Sequence, residues 1–180
     1  MPSVLSHPAV PLGIAAAAGR RIIPGGLALL ACAASVLPDV DSIGFWAGVP
    51  YDSPLGHRGF THSLTFAALI ALLAMPLAGR LRSKRGTVFA VIFVAAASHG
   101  LLDAMTTGGR GVAFFSPFSN RRFFLPWRVI EVSPIGVKGF FSGRGGEILA
   151  SEFAWIWVPA IVAAIVGGIV RGIKREREQG

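Results

Sequence analysis

Five apolar stretches separated by short polar segments dominate the pattern along the chain. A helix needs about 20 apolar residues to cross the hydrocarbon core of a bilayer, and the last three stretches approach or reach that length. The first two are shorter, so we expect a helical hairpin that crosses while packed against the others, or a re-entrant pair. The pattern predicts one membrane-embedded domain over 1–180, an all-α integral membrane bundle with an extramembrane cap loop at 106–152. The apolar stretches cover about 8–19, 24–37, 63–79, 87–105 and 153–170.

The composition also indicates a membrane protein. The chain is 53% hydrophobic and 14% charged, whereas globular domains average about 25% charged residues. A soluble domain of this length could not bury so much apolar surface. The net charge is +8, but Lys and Arg adjoin the apolar stretches as cytoplasmic anchors do. Membrane lipids are therefore the expected partners; neither nucleic acid nor a protein partner is predicted.

The positions of Lys and Arg predict an orientation. If the five stretches alternate across the membrane, the basic turn at 20–21, the loop at 80–86 and the C-terminal tail lie on one side. The positive-inside rule places that side in the cytoplasm and the N-terminus outside. The loop at 106–152 is also basic, but long loops count less in this rule.

The loop at 106–152 combines arginines with many aromatic residues, and two interpretations stay open. Its rings could form the small core of a folded cap, or they could lie in the headgroup region with guanidiniums on lipid phosphates. Arg121 and Arg122 are also candidates for binding a substrate phosphate, because a guanidinium offers bidentate donors. The aromatic residues are Phe114, Phe115, Phe118, Phe123, Phe124, Trp127, Phe140 and Phe141.

A His-x-x-x-Asp pair, His99 and Asp103, stands near the end of the fourth apolar stretch. Residues four apart share one face of a helix. Ionisable groups at membrane depth are costly and tend to mark functional sites. Two other interpretations are a structural hydrogen-bonded pair between helices and part of a proton path.

The remaining histidines and two aspartates fall on the same predicted outer side. Asp39 and Asp41 follow Pro38, so we expect extended backbone with both carboxylates pointing the same way. Thr61 is the expected N-cap of the third helix. Imidazole and carboxylate ligands suit zinc, and also manganese or iron. One ion with supporting partners, or two ions sharing a carboxylate, fits the seven candidates: His7, Asp39, Asp41, His57, His62, His99 and Asp103.

The motifs, taken in order, resemble a bacterial family of predicted membrane-bound metal-dependent hydrolases. The resemblance covers residues 6–125 and implies an inner-membrane protein that holds a divalent metal, preferably zinc, and hydrolyses an unidentified substrate. The motifs are His7, Leu-Pro-Asp-Val-Asp at 37–41, His-Arg-Gly-Phe-Thr-His-Ser at 57–63, Ser-His-Gly-Leu-Leu-Asp at 98–103, Thr-Thr-Gly-Gly at 106–109 and Phe-Ser-Pro-Phe-Ser-Asn-Arg-Arg at 115–122.

That family is distantly similar to zinc-dependent phospholipase C, in which His-x-x-x-Asp pairs supply metal ligands. The likeness implies that His99 and Asp103 are direct ligands, followed by Asp39 and His62. Further ligand pairs and an N-terminal Trp ligand of that enzyme have no counterpart here, so a three-metal site and its substrate class do not transfer.

The resulting hypothesis is a metal-dependent hydrolase of a phosphoester or related ester bond in a lipid or envelope substrate. A metal would lower the pKa of bound water towards neutrality and polarise a phosphoryl oxygen. His7 completes the candidate ligand set, Asp41 or His57 is the candidate general base, and Arg58 with Arg121 is expected to hold the phosphate. The alternatives are an ion- or proton-handling transporter and a non-catalytic scaffold stabilised by metal.

Overall fold

Helices make up most of the computed structural model, which describes residues 1–133 and 143–179. Within these residues, three helical runs are long and apolar enough to cross a membrane: Gly25–Phe45, Arg85–Ala104 and Gly145–Gln179. The prediction of an all-α membrane bundle is therefore confirmed. The α-helices are α1 (Ala9–Ala18), α2 (Gly25–Val36), α3 (Leu64–Ala74), α4 (Arg85–Ala104), α5 (Gly145–Glu152) and α6 (Val158–Gln179).

The second run is longer than predicted, because the helical backbone continues through Pro38. Residues Leu37–Phe45 form a 3₁₀ helix, so the expectation of extended backbone at Asp39 and Asp41 was wrong. Pro38 is in the first turn of this 3₁₀ helix, where its fixed φ is compatible with helical backbone. The two carboxylates therefore diverge around a helical turn.

The last run begins earlier than expected. Helix α5 starts at Gly145, and a π-helical turn over Phe153–Trp157 joins it to α6. The connecting loop after α4 thus ends near residue 144, not 152. The third apolar stretch, Leu64–Ala78, is shorter than a full span and ends in a 3₁₀ turn that contains Pro76.

Helix α4 lies between α2 and α3, and small side chains allow close packing. The core between them joins Leu27 and Ala31 of α2, Ala71 of α3, and Val88 and Ile92 of α4. Because lipid tails are as apolar as the helices, such contacts depend on packing and not on exclusion of water.

Helix α1 packs against α6 through glycines. A Cβ on Gly167 would lie 2.5 Å from the Ala17 Cα, whereas the neighbouring Gly168 has only the Arg171 guanidinium near it, at 3.9 Å. Gly167→Ala is expected to lower the free energy of unfolding by about 1–3 kcal/mol, since overpacking moves backbone. Gly168→Ala, the matched control, is expected to be neutral or slightly stabilising. Thermal unfolding in detergent checks both; equal midpoints would contradict this packing.

The N-terminal segment is attached to the start of the last helical run. The hydroxyls of Ser3 and Ser6 each donate to the buried Glu152 carboxylate at 2.6 Å. The Trp157 indole N–H donates to the Ser6 hydroxyl at 3.2 Å. These contacts hold His7 at the same end of the bundle as the end of α4.

The described part of the loop after α4 lies beside the segment that carries His57 and Arg58. The Ala113 N–H donates to the Arg58 carbonyl at 3.0 Å, and Val112 pairs with Phe123 in an isolated bridge. None of the loop aromatics between 106 and 133 is buried; Phe118 is 87% exposed and Trp127 is 74% exposed. These residues do not form a closed aromatic core, and Phe140 and Phe141 lie outside the described residues.

Candidate metal centre

Four ionisable side chains from three parts of the bundle converge at one end of it. Asp39 comes from the 3₁₀ helix after α2, His62 from a 3₁₀ turn before α3, and His99 and Asp103 from the last turns of α4. All four are buried, and one donor atom from each lies within 4.8 Å of the others. We call them the four-residue cluster.

The donor atoms of the four-residue cluster are close together. The Nε2 atoms of His62 and His99 lie 3.1 Å apart. Asp39 Oδ1 lies 3.3 Å from His99 Nε2 and 3.8 Å from His62 Nε2. Asp103 Oδ2 lies 3.3 Å from His62 Nε2. Two donors about 2.1 Å from one tetrahedral zinc ion would be about 3.4 Å apart, so these separations fit a single ion.

Hydrogen bonds behind the rings set the tautomers of both histidines. His99 Nδ1 lies 2.7 Å from the Ser35 carbonyl, which can only accept, so Nδ1 carries the proton. His62 Nδ1 contacts the Thr61 hydroxyl at 3.1 Å, and this hydroxyl donates to Asp41 at 2.6 Å. In the neutral rings both Nε2 lone pairs then face the carboxylates. Metal-binding histidines are usually oriented in this way.

The two buried carboxylates of the cluster favour a positive charge among these atoms. Both oxygens of Asp39 and of Asp103 are buried without an aligned hydrogen-bond donor among the described residues. Burial lowers the pKa of His62, but its contacts with Asp103, Asp39 and Asp41 outweigh burial and raise the pKa to about 10. A cation bound to the Nε2 atoms would replace such a proton, and metal and proton compete for the same lone pairs.

His7 borders the four-residue cluster. Its ring stacks on that of His99 with centroids 3.7 Å apart, and its Nε2 lies 4.0 Å from Asp39 Oδ2. Burial, followed by repulsion from His99, lowers the pKa of His7 well below its usual value. A neutral, buried imidazole without a hydrogen-bond partner in the described chain has a lone pair available for a metal.

Asp41 lies behind the cluster and orients its neighbours. Its carboxylate accepts from His57 Nδ1 at 2.7 Å, from the Thr61 hydroxyl and from the Arg58 backbone N–H at 3.2 Å. Asp41, His57 and His62 form a second group with possible metal-ligand spacing. Since His62 Nδ1 carries a proton in this arrangement, the ring offers its free lone pair to the four-residue cluster instead.

Arg58 is enclosed in protein with 1% of its surface exposed. Its Nε forms a 3.0 Å ion pair with Asp103 Oδ2, and its terminal nitrogens donate to the Gly108 carbonyl and the Thr106 hydroxyl. A Cβ at Gly109 would overlap the guanidinium, and Gly109 has φ +87°. The Thr-Thr-Gly-Gly motif therefore surrounds Arg58, which faces Asp103.

The two loop arginines have different surroundings. Arg122 donates to the backbone carbonyls of His57 and Tyr51 at 2.9 and 2.8 Å, so it braces the segment that carries His57. Burial lowers the pKa of Arg122. Arg121 is exposed, with its guanidinium 5.4 Å from the Phe123 ring centroid. Of the pair, Arg121 is the one with a solvent-facing guanidinium.

Several residues that shape the site carry little signal in the sequence. A Cβ on Gly100 would lie 2.8 Å from the His62 carbonyl, so glycine there lets α4 approach His62 closely. Ser63, not Thr61 as predicted, caps α3 by accepting from the Phe66 N–H at 3.0 Å. Thr61 instead donates to Asp41. A glycine directly after the histidine of a His-x-x-x-Asp pair was the available signal for Gly100.

Comparison with known proteins agrees with a membrane family. No solved structure matches the chain. The chain is 41% identical over 164 residues to inner membrane protein YbcI of Escherichia coli (strain K12), an alignment that covers 90% of this chain and 94% of that protein. The sequence model of the YdjM inner membrane protein family matches residues 1–176, which include all of the site residues. The chain therefore belongs to the YdjM inner membrane protein family.

Proposed function

We propose that this protein is a metal-dependent hydrolase of the bacterial inner membrane that cleaves a phosphoester or related ester bond in a lipid or envelope substrate. The family and the three candidate spans support the location. The observation that carries the activity is the convergence of two imidazole Nε2 atoms and two buried carboxylates at separations that suit one ion.

The four-residue cluster would hold a divalent cation, with His7 as a further ligand. Mixed nitrogen and oxygen donors suit Zn²⁺, and Mn²⁺ or Fe²⁺ use the same residue types. When bound, such an ion supplies Lewis acidity and makes a bound water more acidic. Ser35 sets the tautomer of His99, Asp41 sets that of His62 through Thr61, and Arg58 holds Asp103 in place.

His57 is the general base in this proposal, and Asp41 is the residue that positions it. Asp41 accepts the Nδ1 proton of His57, so the neutral ring carries its lone pair on Nε2, as in other carboxylate–histidine pairs. Arg121 would contact the substrate phosphate, because its guanidinium faces solvent while those of Arg58 and Arg122 are engaged within the protein.

The test is turnover by the zinc-loaded, reconstituted protein. Bis(p-nitrophenyl) phosphate and phosphatidylglycerol are the probes, and we expect turnover by the wild type and its loss in His99→Ala. Zinc uptake into the same proteoliposomes is measured in parallel. Transport of zinc without hydrolysis would favour the transporter. Bound zinc without either activity, and unfolding on its removal, would favour the scaffold. Either result would overturn the hydrolase proposal.

A further inference from the structure

A second concentration of charge lies at the end of the bundle opposite the four-residue cluster. There α1 ends, α2 begins, the turn after α3 ends and α4 begins. The chain contains no Asp or Glu in residues 1–38 or 53–102, and no salt bridge reaches these basic side chains within the described ranges. The basic residues are Arg20, Arg21, Arg80, Arg82, Lys84 and Arg85.

Two adjoining clefts run between these side chains. One, of about 600 Å³, is lined by Arg21, Arg82 and Lys84 together with Ile22 and Ala78. The other, of about 590 Å³, adds Arg20 and Arg80 and again includes Arg21 and Arg82. Since the same two arginines line both, we treat them as one feature, the basic cleft. Each of the two volumes is within the usual range for small-ligand sites.

Two helix N-termini border the basic cleft, and neither has the cap or acidic residue that usually offsets the positive end of a helix dipole. Neither α2 nor α4 has a side-chain cap or an acidic residue in its first turn. Instead, the Arg20 guanidinium is 3.6 Å from where a Gly25 Cβ would lie, and Lys84 and Arg85 begin α4. Positive charge at the positive end of a helix dipole is unfavourable. An anion would satisfy both the free N–H groups and the guanidiniums.

We propose that the basic cleft binds a phosphate-bearing anion, namely the headgroup phosphate of an anionic phospholipid. Arginine pairs recognise phosphate by bidentate hydrogen bonds. Apolar surface adjoins the charges, since Ile22 lines the cleft and is 58% exposed, which suits the acyl chains of a lipid. Basic pockets between membrane helices bind anionic headgroups in this way. The site is separate from the four-residue cluster and does not depend on hydrolysis.

Native mass spectrometry of the full-length protein in detergent, titrated with phosphatidylglycerol or phosphatidylcholine, tests the proposal. Arg21→Gln/Arg82→Gln should weaken phosphatidylglycerol binding by about tenfold or more. The control, Lys174→Gln/Arg175→Gln, removes the same charge from the α6 tail outside the cleft lining, and should change binding by less than about twofold. Arg20→Gln/Arg80→Gln is the second test pair if the first does not fold by circular dichroism.

Each outcome decides the proposal. Selective loss in the cleft variants supports it. Equal loss in cleft and tail variants, or equal binding of the two lipids by the wild type, overturns it, because either shows that only overall charge acts. A parallel titration with inorganic phosphate distinguishes a lipid headgroup from free phosphate as the ligand. Failure of phosphate to displace the lipid supports a lipid site, whereas tight phosphate binding that the cleft variants lose overturns the lipid assignment in favour of free phosphate.

Discussion

His99→Ala is expected to reduce bound zinc from about one ion per chain to below about a tenth of that, since loss of one ligand from a four-ligand site costs most of its affinity. The His99 Nε2 lies within 3.3 Å of both the His62 Nε2 and Asp39, so its removal takes one of the four donors from the four-residue cluster. Elemental analysis of detergent-purified protein, loaded with zinc and washed, measures the change.

His57→Ala is the matched control for that experiment. His57 is also buried, and its ring packs edge-on against His62 with centroids 5.3 Å apart. Its Nδ1 contacts Asp41, and it supplies no donor atom to the four-residue cluster, so its alanine variant should keep its zinc. The second possible ligand group, Asp41 with His57 and His62, makes the opposite prediction. Zinc retained in His99→Ala and lost in His57→Ala would place the ion there. Zinc absent from folded wild-type protein after loading would refute a metal site altogether.

Arg58→Met should lower the free energy of unfolding of the zinc-free protein by about 3 kcal/mol, because it removes the nearest cation from the buried Asp103 carboxylate. His62 at 3.3 Å and the Met1 ammonium at 4.0 Å then remain as its charged neighbours. The Asp103 side chain is fully buried and its Oδ2 lies 3.0 Å from Arg58 Nε. Saturating zinc should recover part of the loss, since a cation supplies the missing charge. Thermal or chemical unfolding in detergent, with and without zinc, gives both values.

Two further variants separate this ion pair from general effects of losing an arginine. Arg121→Met removes an exposed guanidinium and should stay within about 0.5 kcal/mol of wild type. Arg58→Met/Asp103→Asn removes both charges and should be more stable than Arg58→Met alone, because the buried carboxylate that has lost its nearest cation is no longer present. A double variant no more stable than the single one would show that Arg58 acts through packing, not charge.

The apolar pattern predicted the helices better than their ends. The stretches at 24–37 and 153–170 were recognised, but α2 continues as a 3₁₀ helix to Phe45 and the last run begins at Gly145. Hydrophobic period identifies the part of a helix that faces lipid or core. Polar first and last turns, such as those that carry Asp39 and Glu152, lack this period, and their helical backbone depends on tertiary contacts that the sequence pattern does not show.

Spacing within one helix was enough to pair His99 with Asp103, because four residues make one helical turn. The apolar and charge patterns thus predicted a membrane bundle, its basic end and a polar site at the other end. The resemblance implied Asp39 and His62 as the next ligands. Their contacts with this pair, the position of Asp41 behind His62 and the inward turn of Arg58 to Asp103 came from the folded structure. Those contacts join residues from distant parts of the chain, as Asp39 with His99, and the way helices pack, not local periodicity, sets which distant side chains share a buried space.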